Sequence, residues 1–273
     1  MFSKVLVISA LCAAAFASPL LPYSQQAAER PAEMQVLSEY FSMLGQKVQA
    51  GRQMSEAPVC NLNNALLPVA CKYISAHTML STANKISTAP TPLPPVSEGL
   101  TLKHVAIGRG IQNYTCSQTN ATATPVSIGA VATLYNASCV ASTYPDLLAV
   151  LPNVALQFNL TSDDQATLSP SYLSISGHHF FSNTTTPTFD LNTAAMDLGV
   201  APCSKNNTVL APAGAPVGQG GQGHGSVAWL KLITRDGATG NLEEVYRVNT
   251  AGGNPPATCA GMPATFEVQY ASE

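Results

Sequence analysis

Ser226-Val-Ala-Trp-Leu-Lys-Leu-Ile-Thr234, then Arg235-Asp-Gly-Ala-Thr-Gly-Asn241, then Glu244-Val-Tyr-Arg-Val-Asn-Thr250 is the stretch that decides the fold class. The first run is dense in β-formers and apolar through its centre. The second is turn chemistry, with Asp-Gly and Gly-Asn pairs. The third alternates polar and apolar residues, as a returning strand does. Residues 226–250 therefore predict a β-hairpin.

Working outward, the same pattern recurs. Leu100–Ile107, Ile111–Cys116, Val126–Tyr135, Tyr172–Phe181 and Thr265–Tyr270 are strand candidates separated by Gly, Pro and Asn. Short strands so punctuated indicate a mainly β fold, an antiparallel sandwich or barrel, over residues 98–273. Ahead of it, Val36, Leu37, Tyr40, Phe41, Leu44 and Val48 recur at spacings of three and four. They make an amphipathic helix over 28–50, with Pro31 at its start and Gly51 past its end. Its apolar face is expected to dock on its own domain. A second helical stretch is expected from about Asn63 to Ala83. Residues 18–88 thus read as a helical N-terminal extension. Ala89-Pro-Thr-Pro-Leu-Pro-Pro95 opens a stiff linker over 89–97.

The N-terminus reads as an address. Lys4, the apolar run Val5–Ala15 and Ala15-Phe-Ala17 form a signal peptide, 1–17, with cleavage expected after Ala17. The run is too short to span a bilayer, and no other transmembrane candidate follows. Downstream stand Cys60, Cys71, Cys116, Cys139, Cys203 and Cys259. An even set in a secreted chain reads as three disulfides with 15 possible connectivities; the short loop Cys60–Cys71 is the simplest local pair. Asn113, Asn120, Asn136, Asn159, Asn183 and Asn206 each open an Asn-x-Ser/Thr acceptor, as a glycoprotein's surface would.

Composition excludes some partners. The chain of 273 residues carries 12 Lys+Arg against 15 Asp+Glu, and charged residues make up only 10%. That leaves no basic stripe for phosphates, so no nucleic acid is expected. The motifs for chemistry are sparse. Gly218-Gln-Gly220-Gly221-Gln-Gly223 has dinucleotide-binding spacing but no strand before it or helix after it, so it reads as a loop and no cofactor is expected. His178 and His179 are adjacent; on a strand they face opposite ways, which disfavours one shared metal ion. Asp190, Asp197 and Glu244 are the carboxylates open to glycosidase-type work. Arg109, between two glycines, is expected on a turn, with Gln112 and Tyr114 sharing one face of the following strand. Arg247 with Tyr246 sits at a similar strand end, and Trp229 is the lone tryptophan. Arg109, Gln112, Tyr114, His178, His179, Trp229 and Arg247 are the candidate ligand contacts; no catalytic set is assigned.

Gly108-Arg-Gly-Ile-Gln-Asn-Tyr-Thr-Cys116, Gly129-Ala-Val-Ala-Thr-Leu-Tyr-Asn-Ala-Ser-Cys139, Gly177-His-His-Phe-Phe181, Pro187-Thr-Phe-Asp-Leu191, Val227–Leu232, Glu244–Gly253, Pro256–Cys259 and Val268–Tyr270 occur in order. Together they resemble the secreted fungal and bacterial family of unknown function numbered 3455, over residues 98–273. The resemblance implies a Cys116–Cys259 pair but no activity; a fungal source is expected from the signal and the acceptor sites. Some members carry the label malate dehydrogenase, to which this sequence lends no support. Relatives also have a further Tyr-Trp-Phe-Tyr type of segment where this chain stops at Ala271-Ser-Glu273; either the sequence is clipped or the last strand is shorter. The resulting expectation is a secreted, disulfide-containing glycoprotein with a binding or structural role at the cell surface or wall. Its expected partner is wall polysaccharide or a small ligand. An extracellular hydrolase of carbohydrate or wall polymer is the alternative, and a dehydrogenase the least favoured reading.

Overall fold

A computed structural model describes residues 32–56, 58–68, 91–159 and 167–273. The expected signal peptide, 1–17, and Cys71 lie outside them, as does most of the second expected helix. The described part of that helix, Leu62–Asn64, is one 3-10 turn followed by extended chain.

The chain runs α1 (Ala32–Gly51), β1 (Ala106–Thr115), β2 (Val126–Asn136), α2 (Ser138–Thr143), α3 (Pro145–Leu156), β3 (Thr167–Leu168), β4 (Leu173–Asn183), β5 (Thr186–Thr193), β6 (Met196–Val209), β7 (Trp229–Thr234), β8 (Glu244–Arg247), β9 (Ala251–Gly252) and β10 (Thr265–Ser272). All strand pairs are antiparallel, in the order β8-β7-β6-β5-β4-β2-β1-β10-β9, with β3 on β4. The protein is mainly β, and the sheet curls like a barrel instead of stacking as two layers. Its two ends fall on one stretch of chain. Residues 244–247 pair with β7, while Ala251 and Gly252 pair with β10. Between them Val248 and Glu273 exchange two backbone hydrogen bonds, at 2.9 and 3.0 Å.

The curl gives the sheet an inner and an outer face. Directly opposed residues share a face. One row, Tyr270, Gly110, Ala132, His179, Phe189 and Ala201, runs across six strands on the inside. The next row, Ala271, Arg109, Thr133, His178, Asp190 and Val200, lies outside. Gly110 is required in the inner row: a Cβ there would stand 1.9 Å from Val131 O.

The outer face of β1, β2 and β10 is covered by helices. α3 starts with Pro145 at its first turn and Asp146 near the positive end of its dipole. Leu151, Val154 and Leu156 are fully buried, each contributing about 1.5–3 kcal/mol relative to exposure. α1 packs Val36, Leu37, Tyr40, Met43 and Leu44 against the same cluster. The amphipathic face thus docks on its own domain, as expected.

Four sequence expectations need correction. Arg109 is not on a turn: Leu100–Val105 is not a strand, and Ala106–Thr115 is one continuous strand passing through Gly108-Arg-Gly110. Cys60 pairs with Cys139, not with Cys71, because the extension folds back over α2; their Cα atoms are 4.7 Å apart. Cys203 is a buried thiol on the inner face of β6, opposite Thr234 and remote from a described cysteine partner. The proline-rich stretch is a strap, since Leu93 is buried against Trp229 and Val248. The Cys116–Cys259 pair is present, with Cα atoms 5.5 Å apart.

Candidate functional site

The inner face collects most of the sequence-predicted residues. Gln112 and Tyr114 project from β1, His179 from β4, Arg247 from β8, and Tyr270 from β10. Tyr270 was not anticipated. Its signal was its place in the alternation of Phe266, Val268 and Tyr270, and only the curl shows that this face is the inner one. Small residues, Ala130 and Ala132, line the wall between the large ones.

Tyr114, His179 and Arg247 each have a fixed hydrogen-bond partner. Tyr114 Oη donates to Gly253 O at 2.8 Å, and its ring stacks on Phe266. Burial pushes its phenol up to about 12, partly offset by Arg247. Burial also raises Tyr270, against the pull of Arg247, Arg109 and the Gln112 side chain beside its hydroxyl. His179 stacks on Phe189, with centroids 4.4 Å apart, and its Nδ1 lies 3.0 Å from Thr188 O. Burial lowers its pKa to about 4; the Thr188 carbonyl opposes this and Arg247 reinforces it. The ring is neutral at pH 7, when Nδ1 donates to that carbonyl.

Arg247 is half-buried and donates from Nε and Nη2 to Ala228 O, at 3.2 and 2.8 Å. Burial lowers its pKa, partly offset by Tyr270 and Tyr114. Gln112 is 6% exposed, and its side chain bears on the Tyr270 hydroxyl. The face therefore offers donors, a cation and aromatic rings, with no described carboxylate among the named groups.

The other candidates are elsewhere. Arg109, 2% exposed, turns outward beneath α3 and binds backbone: Nε to Ala155 O at 3.1 Å, Nη2 to Phe158 O at 2.9 Å and Nη1 to Tyr270 O at 3.2 Å, with Gln269 Oε1 as a further acceptor. Burial brings its pKa down to about 10, against the raising influence of Tyr135 and Tyr270. His178 is exposed on the outer face, opposite Asp190. Trp229 is 4% exposed under Leu93.

Under the same strap, Lys231 and Glu244 form an ion pair at 2.9 Å. Lys231 also donates to Pro95 O at 2.7 Å, and Ser97 Oγ donates to Glu244 at 2.5 Å. Burial opposes the Lys231 charge, but its bonds to Glu244 and Tyr246 prevail and hold its pKa high. Burial likewise works against the Glu244 charge, but Lys231 and Ser97 hold its pKa low. Glu244 is thereby engaged in fastening the strap, and Asp190 and Asp197 stand on β5 and β6, not beside it.

The glycine-rich stretch folds on itself as a loop, with Gly220 N donating to Gln157 Oε1 at 3.0 Å, and it leads into β7. Among the described residues, no group of three or more His, Cys, Asp or Glu could hold a metal, and no helix is long and apolar enough to cross a membrane.

Comparison with curated proteins and with solved structures gives no match. The model of a protein family of unknown function, DUF3455, matches residues 96–273, from the end of the strap through the whole curled sheet, and the chain belongs to that family.

Proposed function

We propose that the protein is a secreted glycoprotein with a binding or structural role at the cell surface or wall. The observation that carries this reading is how its sequons are displayed. Asn120, Asn159, Asn183 and Asn206 are exposed, and Asn113 and Asn136 half-exposed. Asn120 and Asn183 each accept the hydroxyl of their own sequon threonine, at 2.8 and 3.0 Å, in turns free for a glycan to project. Two disulfides, each closing a long stretch of chain, fit an oxidising compartment. Wall polysaccharide is the partner we favour.

The test is to secrete the protein from a eukaryotic host, incubate it with insoluble wall polysaccharides and assay the supernatant for released sugar. Retention without release supports the binding role. Release makes the protein a hydrolase. Neither retention nor release removes the wall polymer as partner.

A further inference from the structure

The outer face of the sheet is covered at one end. There α1 and α3 pack over Ile107, Tyr135 and Ala271. Farther along β1 the same face continues with Ile111, Asn113 and Thr115, all half-exposed. Their partners on β2 are Val131, Gly129 and Val126, and on β10 Gln269, Glu267 and Thr265. Opposed residues share a face, so the β2 side of this row is apolar and the β10 side polar. Val131 is 44% exposed and Val126 61%. Phe180, two positions beyond the outward His178, carries exposed apolar surface on to β4. A contiguous apolar patch rimmed by polar residues marks a surface that something covers.

Asn113 stands in the middle of this row and opens the acceptor Asn113-Tyr114-Thr115. Alternation turns Asn113 and Thr115 outward and buries Tyr114 inside. The β2 residue facing Asn113 is Gly129, so no side chain stands directly across from it, and a bulge falls between Asn113 and Tyr114. Asn120 and Asn183, by contrast, sit in turns. A sugar on Asn113 therefore has apolar surface within its own reach. The first N-acetylglucosamine of an N-glycan is amphipathic: its ring C–H bonds make an apolar face, and hydroxyls and an acetamido group rim it. The apolar face matches Ile111 and Val131, and the rim meets an acceptor in Glu267.

We propose that Asn113 carries an N-glycan whose first N-acetylglucosamine lies over Ile111 and Val131 and covers the apolar part of the outer face that the helices leave open. This rests on the glycoprotein reading above. In the modification Asn113 Nδ2 loses a proton and bonds to C1 of the sugar. The bond from C1 to a lipid-linked pyrophosphate breaks, and its electron pair leaves with the pyrophosphate.

The full chain is secreted from a eukaryotic host, its glycopeptides are mapped by mass spectrometry, and an endoglycosidase trims the folded protein to the first sugar at each site. Asn113 is occupied, and in the trimmed protein nuclear Overhauser contacts join sugar ring protons to the Ile111 and Val131 methyls. Thr115→Ala, which deletes the acceptor, lowers Tm by a few degrees and binds at least twofold more of the dye ANS. Thr115→Ser, which keeps the acceptor, behaves as wild type, and so does Asn206→Gln, which removes an acceptor at an exposed bulge of β6. Should Thr115→Ala not be secreted, the contacts in the trimmed wild type decide alone. Occupancy at other acceptors but not at Asn113 overturns the proposal and leaves the glycoprotein reading standing; occupancy nowhere overturns both. An occupied Asn113 without sugar–methyl contacts also overturns it, as does unchanged dye binding in Thr115→Ala. A wild-type dimer that Val131→Lys dissociates would put a second copy on this face and overturn it too.

Discussion

Arg109 Nε donates to Ala155 O at 3.1 Å, tying the middle of β1 to the last turn of α3. The final carbonyls of a helix lack intrahelical donors and carry the negative end of its dipole. A buried guanidinium answers both needs, and Phe158 O just beyond the helix is bound by the same group.

Replacement of Arg109 by Leu is therefore expected to destabilise the protein by about 3 kcal/mol, since buried carbonyls are left without donors. Lys should not rescue it, because a single ammonium cannot reach the separate carbonyls that the fork spans. Urea unfolding of the three proteins checks this.

The strap gives a second expectation. Lys231→Met leaves Glu244 buried with the Ser97 and Tyr246 hydroxyls as its remaining partners but no counter-charge, and should cost about 3–5 kcal/mol. The double change Lys231→Met with Glu244→Leu should recover most of that loss, because no charge is then left unpaired. A double-mutant cycle by chemical denaturation measures it. Release of the strap should also unquench or shift Trp229 fluorescence, since Leu93 packs on the indole.

Mapping of peptides under non-reducing conditions is expected to recover Cys60–Cys139 and Cys116–Cys259, with Cys203 alkylated only after unfolding. Burial pushes the Cys203 thiol up to about 12, partly offset by Arg235, which further disfavours its thiolate. Loss of the Cys116–Cys259 bridge, whose residues are 143 apart in sequence, should cost about 2–5 kcal/mol.

Acid should destabilise the fold once the pH falls below about 6.5. Burial lowers both His104 and His179 to about 4, whereas the unfolded chain protonates them near 6.5. Between those values the unfolded state binds more protons, so stability falls as pH drops from about 6.5 to 4. Glu273 acts in the opposite sense: burial raises it to about 7, with Asn249 partly offsetting, so it alone would favour the fold as pH falls toward 4.5. Two histidines outweigh one carboxyl, and the net loss should be a few kcal/mol. Denaturation at pH 7, 5.5 and 4.5 tests the slope. His104 Nε2 lies 2.9 Å from Ser176 Oγ, and His104→Gln should remove most of the net slope, since the histidine that is left is balanced by Glu273.

Local patterns were readable without the structure. The 226–250 hairpin, the docking helix and the opposite facing of His178 and His179 follow from periods of 2 and 3.6 alone. α3 escaped notice because it is apolar on most sides and holds Pro152, so no stripe marks it. β5 and β6 were missed because Pro187 and a run of Asn and Thr hide the alternation.

Alternation decides which residues share a face, but not which face is inside. That was settled by the curl of the sheet, which brings 244–253 against both β7 and β10. It turned Arg109, a glycine-flanked cation by sequence, into a buried brace for a helix. It also gathered Gln112, Tyr114, Arg247 and Tyr270, far apart in the chain, around one interior. The disulfides divide along the same line. Six cysteines announce cross-links, yet Cys60 meets Cys139 only because the extension packs over α2, and Cys203 is a buried thiol unbonded to the other described cysteines. Strand periodicity is a property of neighbours in sequence; sheet closure and cross-linking depend on contacts that only the packed chain creates.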